Sequence, residues 1–326
     1  MTFDFKDTYI KNAFTLLGRN EFVSGIKPDL QINDYYLNEK CFELAEVNYQ
    51  IKTINGLLKK EKIKENKIDL LIGGDLQNQL LATNFASRKF DISMLGIYSA
   101  CATFTEGLII AGSFIDKTTN GNIIVTVSSH NLASEKQFRF PIEYGALKKK
   151  VNTFTSTGSV SALITNKKTN IKLESCTIGS VVDIGYNDVN NMGAAMAPST
   201  AKTIYNHLKE KKRTADYYDI ILTGDLGVYG INILKEYLEK EYNLKIKNIQ
   251  DAGTILFQNE VGKSIAGGSG PLCLPMILFT KILKSNYKKI LIIGTGSLHS
   301  KLSSNINETI PNISHAVSIE VIEWYI

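Results

Sequence analysis

The residues with the clearest chemical potential surround Cys101, where a run of small residues follows an apolar segment and opens an apolar helix. The preceding segment stops at Ser99, whose hydroxyl is predicted to cap the helix by accepting from N–H groups of its first turn. A cysteine at a helix start lies at the positive end of the helix dipole, which lowers the thiol pKa and favours the nucleophilic thiolate. The same spacing also fits a small core residue, because free cysteine is among the most buried residue types.

The amino-acid composition indicates the general class of protein that contains this cysteine. The chain has 326 residues, of which 44% are hydrophobic and 21% charged, so it can bury a large core in one or two domains. The other cysteines (Cys41, Cys176 and Cys273) have no paired spacing and no histidine neighbours. Neither a disulfide framework nor a metal site is therefore indicated, and the sequence implies no cofactor.

Charge and hydropathy limit the kinds of partner. The net charge of +5 comes from lysine-rich stretches without interleaved aromatic residues, which favours solvated surface and disfavours a nucleic-acid groove. The N-terminus lacks the features of a signal peptide. The longest apolar runs, residues 108–115 and 271–283, are too short to span a bilayer, so we expect a soluble or peripherally attached protein.

The hydrophobic periodicity predicts an α/β fold. Residues 39–60 carry apolar side chains at helical spacing, whereas residues 68–74 and 122–127 are continuous apolar runs typical of strands buried on both faces. Residues 92–98 form a further strand that leads into the Cys101 helix. Strands that alternate with helices predict a mainly parallel sheet.

The second half of the sequence repeats the first. Four segments match in the same order, which predicts two duplicated halves, residues 1–167 and 172–326, packed as one compact unit with pseudo-twofold symmetry. The clearest matches pair YDIILTGD (218–225) with IDLLIGGD (68–75), and KILIIGTGSLH (289–299) with NGNIIVTVSSH (120–130).

A duplicated unit of this size, with a cysteine at the start of a buried helix, resembles the thiolase fold. The resemblance implies a five-layered αβαβα domain, a cysteine nucleophile near the pseudo-twofold axis and a homodimer. Acyl transfer of the thiolase type also needs a base and oxyanion donors, which that superfamily supplies from the second half, with a histidine in a glycine-rich turn. Here the glycine-rich turn at 266–271 and the segment 251–254 contain no histidine, which favours binding over catalysis.

Three longer stretches, together with IYSACAT around Cys101, resemble the stage V sporulation protein AD family. They are SEKQFRFPIEYG (134–145), NMGAAMAPST (191–200) and SHAVSIE (314–320). The resemblance implies a protein of endospore-forming bacteria that binds pyridine-2,6-dicarboxylic acid (dipicolinic acid), chelated with calcium. It also implies a peripheral location at the spore inner membrane. There the protein works with small membrane proteins of its operon in uptake during sporulation and release at germination.

A pocket for a flat ligand with two carboxylates needs donors at both ends and an apolar slot between them. The start of the Cys101 helix is predicted to supply N–H groups that favour an anion, with Cys101 as a vestigial nucleophile position. The turn formed by Gly267, Gly268 and Ser269 is predicted to supply a second set of N–H groups, because glycine allows close approach of the backbone. Tight packing is the alternative explanation for that turn.

Three side chains are predicted to donate to the ligand carboxylates. His130 and His315 lie next to apolar strands, and Arg139 can form a bidentate pair with a carboxylate. The alternatives are a structural hydrogen bond at a strand end for His130 and its repeat counterpart His299, and an ion pair with a nearby acid for Arg139. His207 lies in a charged helix and is predicted to be at the surface.

Two other functions stay open at this point. The first is an acyl-CoA or acyl-carrier acyltransferase of the thiolase type that uses Cys101 as its nucleophile. The second is a structural scaffold with a vestigial pocket.

Overall fold

The computed structural model describes residues 1–19, 25–138 and 149–322, so the predicted ligand residue Arg139 lies outside the described residues. The strands are β1 (Thr2–Asp4), β2 (Tyr9–Leu17), β3 (Leu30–Gln31), β4 (Leu70–Gly74), β5 (Met94–Gly96), β6 (Asn122–Ser129), β7 (Thr153–Thr155), β8 (Gly158–Thr165), β9 (Ile171–Thr177), β10 (Ile220–Thr223), β11 (Ile249–Asp251), β12 (Gly267–Ser269), β13 (Lys289–Ser297) and β14 (Asn312–Val321). The helices are α1 (Phe42–Glu61), α2 (Leu81–Ser87), α3 (Thr103–Phe114), α4 (Asn131–Phe138), α5 (Met192–Glu210), α6 (Gly227–Tyr242), α7 (Ala252–Leu256), α8 (Cys273–Thr280) and α9 (Lys301–Asn305).

The sheet consists of two parts with the same strand order. The first part runs β5-β4-β6-β8-β2, and the second runs β11-β10-β13-β14-β9. In each part the strands taken in chain order occupy the same positions and have the same relative directions. The two parts meet where β2 and β9 pair at Tyr9 and Lys172. This arrangement is what a duplicated unit would give, although the predicted boundaries at 167 and 172 stay a prediction.

The prediction of a mainly parallel sheet is wrong, because each part is mixed. β4 pairs in parallel with β5 and β6, whereas β8 pairs antiparallel with both β6 and β2. Runs of buried apolar residues reveal a strand but not its direction. Parallel and antiparallel strands buried on both faces have the same composition.

The helices form three layers around the two parts of the sheet. α3 and α8 share one buried cluster with strands from both parts, and their Phe104 and Phe279 rings meet edge-on at 6.2 Å. α1 packs on the outer face of the first part, and α5 and α6 cover the outer face of the second. The layers therefore follow the predicted αβαβα order, with α3, the helix that follows Cys101, in the central layer.

The prediction that His207 lies at the surface is wrong. Its side chain on α5 is fully buried, with Nδ1 2.8 Å from the Thr177 hydroxyl and Nε2 2.7 Å from the Tyr218 hydroxyl. Burial lowers the pKa of His207 to about 4, so the ring is neutral at physiological pH. Charged residues follow His207 in the sequence, but they lie on the other side of the helix. The sequence pattern around His207 therefore predicts exposure although the side chain is buried.

A second buried polar cluster lies where α1 crosses the end of β4. Glu46 is fully buried and accepts from the Ser128 hydroxyl at 2.7 Å and from Nε2 of Gln77 at 2.8 Å. Asp75 lies close by and accepts from the backbone N–H and hydroxyl of Thr83. Burial and the nearby Asp75 charge raise the pKa of Glu46 to about 8.

The substitution Glu46→Gln is expected to make the protein progressively more stable than wild type as pH rises. Between pH 4.5 and 8 the carboxyl is protonated in the fold but ionised in the unfolded chain. Wild-type stability therefore falls through this window by up to about 1.4 kcal/mol per pH unit. Urea unfolding between pH 5 and 8.5 measures the difference.

The control is Glu43→Gln on the same helix. Glu43 is half-buried, and its ion pair with Lys136 at 3.6 Å contributes to a pKa below 4.5, although burial acts in the opposite direction. Its stability difference from wild type should stay constant between pH 5 and 8. An equally constant difference for Glu46→Gln would contradict a raised pKa.

Candidate functional site

Cys101 lies in a single 3₁₀ turn, Ala100–Ala102, directly before α3. The predicted Ser99 cap is wrong, because the Ser99 side chain makes no capping hydrogen bond. The Thr103 side chain makes the hydrogen bonds at this helix start. Its hydroxyl accepts from the Ser99 N–H at 3.1 Å and donates to the Ala100 carbonyl at 2.7 Å. Ala100 has a φ of 49°, a left-handed conformation that costs a residue with a side chain about 1–2 kcal/mol.

Two glycines of β13 make room for this turn. A Cβ on Gly296 would lie 2.2 Å from the Ser99 carbonyl oxygen, and one on Gly294 would lie 2.1 Å from the Thr105 hydroxyl. Any other residue at these positions would push the second half of the chain away from the Cys101 turn. The GTGS motif of β13 therefore serves close contact between the halves.

The buried carboxyl of Asp225 lies beside Cys101, and its charge acts on the thiol. Asp225 follows β10 and accepts from the Thr295 hydroxyl at 2.7 Å and from the Gly270 N–H at 2.9 Å. Burial and the Asp225 charge raise the pKa of Cys101 well above its usual value, and burial raises that of Asp225 to about 6. The expected lowering of the Cys101 pKa by the helix dipole is therefore wrong, because a neighbouring carboxylate opposes thiolate formation.

The glycine-rich turn serves both packing and the site. Gly267 and Gly268 lie in β12, where a Cβ on Gly268 would lie 2.4 Å from the Phe257 ring and one on Gly267 would lie 3.1 Å from the Cα of Gly227. Ser269 instead faces the cavity beside Cys101 and donates to Asp225 at 3.2 Å. Tight packing accounts for the two glycines.

A narrow cleft with a cavity volume of about 40 Å³ opens beside Cys101. Its outer part continues toward solvent along the loop of residues 76–80 and past Tyr98. The lining combines apolar side chains with hydroxyl and ionisable groups. The inner lining consists of Leu76, Ala100, Cys101, Ser134, Glu135, Phe138, Thr155, Met192, Met196, Ser269, Ser297 and His299.

The structure does not bring His130 and His315 to this cleft. His130 is fully buried, contacts the Tyr35 carbonyl through Nε2 at 3.0 Å and stacks on Phe42. His315 accepts from the Gly179 N–H at 3.2 Å. Burial lowers the pKa of both rings to about 4, as expected for neutral structural histidines.

The histidine that does line the cleft is His299, which ends the repeat of the His130 segment. Its ring lies 5.1 Å from that of Phe138, and its Nδ1 lies 3.4 Å from the Ser297 hydroxyl. The repeat pattern identified this strand end but could not decide which of the two copies faces the cysteine. Sequence reasoning missed Met192, Met196 and Ser134 as individual site residues, although family motifs contain all three.

Within residues 1–19, 25–138 and 149–322, no group of three or more histidine, cysteine or acidic side chains could hold a metal ion. Over the same part of the chain, no helix has the length and apolar character needed to cross a membrane.

A cysteine turn at the head of a central helix, between two sheet parts of identical topology, defines a thiolase-like protein. Solved structures of condensing enzymes share this fold. An OleA variant from Xanthomonas campestris aligns with a TM-score of 0.66 at 13% identity over 97% of each chain. The 3-oxoacyl-(acyl carrier protein) synthase III, FabH, of Xanthomonas oryzae aligns with a TM-score of 0.63 at 13% identity, over 98% of this chain and all of the other.

The chain belongs to the stage V sporulation protein AD (SpoVAD) family, whose sequence profile matches residues 1–320. Stage V sporulation protein AD of Bacillus subtilis (strain 168) is 36% identical over 297 residues, which cover 90% of this chain and 87% of that protein. The resemblance seen in the sequence motifs is thereby confirmed.

The substitution Asp225→Asn is expected to accelerate alkylation of Cys101. Loss of the carboxylate removes the charge that opposes the thiolate, and each unit by which the thiol pKa falls gives about tenfold more thiolate. Peptide mass spectrometry after timed iodoacetamide treatment at pH 8 measures the rate at Cys101 itself.

The matched control is Asp75→Asn, the repeat counterpart of Asp225, which bonds Thr83 and not the cysteine. It should leave the Cys101 rate unchanged. Equal rates in Asp225→Asn and wild type would contradict a thiol held protonated by Asp225.

Proposed function

We propose that this protein binds dipicolinic acid, as its calcium chelate, in the cleft beside Cys101 and does not catalyse acyl transfer. In this proposal it acts at the spore inner membrane as part of the apparatus that takes the ligand up during sporulation and releases it at germination. Membership of the SpoVAD family supports this ligand and setting, and the cleft beside Cys101 supports this location for the site.

The charge of the buried Asp225 carboxyl beside Cys101 is the observation that carries the proposal. A thiolase-type nucleophile must be a thiolate or have a base that takes its proton. Here the nearest ionisable partner is a buried carboxyl that raises the thiol pKa. The electrostatics of this cysteine therefore support a site that holds a ligand over one that attacks a thioester.

The lining of the cleft suits a flat aromatic acid. Met192 and Met196 lie one turn apart on α5, and with Leu76 and Phe138 they supply apolar surface for a ring. Thioether sulfur atoms make favourable contacts with aromatic rings. Hydroxyl groups elsewhere in the lining supply neutral donors for carboxylates.

The charges near the cleft support the chelated form of the ligand. Glu135 lines the cleft, and Asp225 lies behind Cys101 and Ser269. Two carboxylates would repel a free dicarboxylate but would tolerate a chelate whose calcium neutralises it. Calcium is then part of the cargo and needs no resident protein site.

Isothermal titration with dipicolinate tests the proposal. Saturable binding of one ligand per chain is expected, and it should be tighter with equimolar calcium than with a calcium chelator present. Cys101→Trp should abolish binding because the indole fills the cleft, while its melting temperature reports on folding. Cys41→Trp, at a partly exposed cysteine before α1, is the matched control and should bind like wild type.

Absence of heat and of thermal protection at millimolar ligand would contradict the proposal and favour a scaffold with a vestigial pocket. The acyltransferase alternative predicts a different result. Incubation with acetyl-, malonyl- and octanoyl-CoA would then add an acyl mass to the Cys101 peptide. That outcome would overturn a purely binding role.

We also propose that the protein attaches peripherally to the membrane through the small membrane proteins of its operon and is a homodimer. The free edge of the sheet supports the dimer. β5 ends the strand order, and Leu95 and Tyr98 beside that edge are 40% and 41% exposed. An apolar edge strand readily pairs with another strand, and a second copy of the chain would cover it.

The substitution Leu95→Lys is expected to convert the dimer to a monomer, because a charge on the edge strand opposes pairing. Light scattering should show a molecular mass falling from two chains to one. Leu302→Lys, at a leucine that is 71% exposed on α9, should leave the mass unchanged. A wild-type monomer at micromolar concentration would contradict the proposed dimer.

A further inference from the structure

One buried hydroxyl in the cleft lacks a hydrogen-bond partner. Ser134 lies on α4, is 1% exposed and lines the cleft beside Cys101. Its backbone N–H donates to the His130 carbonyl at 2.9 Å as part of the helix, but its side-chain oxygen has no hydrogen-bond partner in the part of the chain that the structure describes. Buried hydroxyl groups almost always have a partner, because leaving one unpaired costs stability.

Two other hydroxyl groups in the lining, those of Ser269 and Ser297, already have partners. The Ser269 hydroxyl donates to Asp225 at 3.2 Å, and the Ser297 hydroxyl lies 3.5 Å from the Met192 sulfur and 3.4 Å from Nδ1 of His299. A helical serine also has the option of bonding the carbonyl four residues earlier, yet Ser134 does not do so. Its donor is therefore available to a molecule in the cleft.

The position of Ser134 indicates which chemical group a bound molecule would place beside its hydroxyl. Phe138 lies one helical turn further along α4 and lines the same cleft, as do Met192 and Met196 of α5. These side chains supply apolar surface for a ring, and a polar substituent on that ring could then accept from the Ser134 hydroxyl. A carboxylate is the acceptor that gains most from such a donor in a partly dry site.

We propose that Ser134 is the specificity-determining donor of this site and hydrogen-bonds one carboxylate of a planar aromatic acid. The inference rests on the proposed function, and it adds a residue and a geometry to it. Among the described residues the Ser134 hydroxyl has no partner, and the ligand would supply one.

The test is Ser134→Ala in the full-length chain, with dipicolinate titrated calorimetrically with and without calcium. Affinity is expected to fall about 10- to 100-fold, as for loss of a hydrogen bond to a charged group. The melting temperature without ligand should rise by about 2 °C or more, because alanine removes an unpaired buried hydroxyl and favours the helix. Replacement of a serine with a purely structural role would not lower the affinity and raise the melting temperature together.

Ser113→Ala is the matched control, because its hydroxyl bonds the Ile109 carbonyl on α3 and does not line the cleft. It should leave the affinity unchanged. Unchanged affinity in Ser134→Ala, or weaker binding with a lower melting temperature, would overturn the inference while the proposed function stands. A wild-type chain that does not bind dipicolinate would overturn both.

Discussion

The close approach of β13 to the Cys101 turn is the contact on which the site depends. Gly294 and Gly296 leave no room for a side chain between the strand and the turn, so the two halves meet at backbone distance. The residue between these glycines, Thr295, donates to Asp225. The same few residues of β13 therefore seat the cysteine and position the carboxyl that controls its protonation, and packing of the central layer offsets the strain at Ala100.

The repeat places two carboxylates at equivalent positions but gives them different surroundings. Asp75 is satisfied within its own half by donors from Thr83 and the Gln77 backbone. Asp225 accepts from Gly270 and Thr295 of its own half, and its charge also acts on Cys101 of the first half. A thiolase-like fold thus surrounds a cysteine whose electrostatics oppose a thiolate.

Much of the architecture could be predicted because it depends on local pattern. The sequence predicts two equivalent units from the buried apolar runs of β6 and β13 and from the matching order of segments. The two parts of the sheet have the same strand order. Strand direction could not be predicted, since burial on both faces gives the same composition either way. The surface prediction for His207 failed because the charges beside it in sequence say nothing of the face that packs on Thr177 and Tyr218.

The sequence by itself determined the family, the order of elements and the importance of Cys101 and Ser269, because motifs and hydrophobic periodicity are properties of neighbouring residues. Only the tertiary structure decided the chemistry of the cleft. The pKa of a thiol depends on which charge lies beside it and how far water is excluded, and here that charge is Asp225 from the other half of the chain. The same dependence on distant partners separates His299, which reaches the cleft, from His130, which supports the fold behind it.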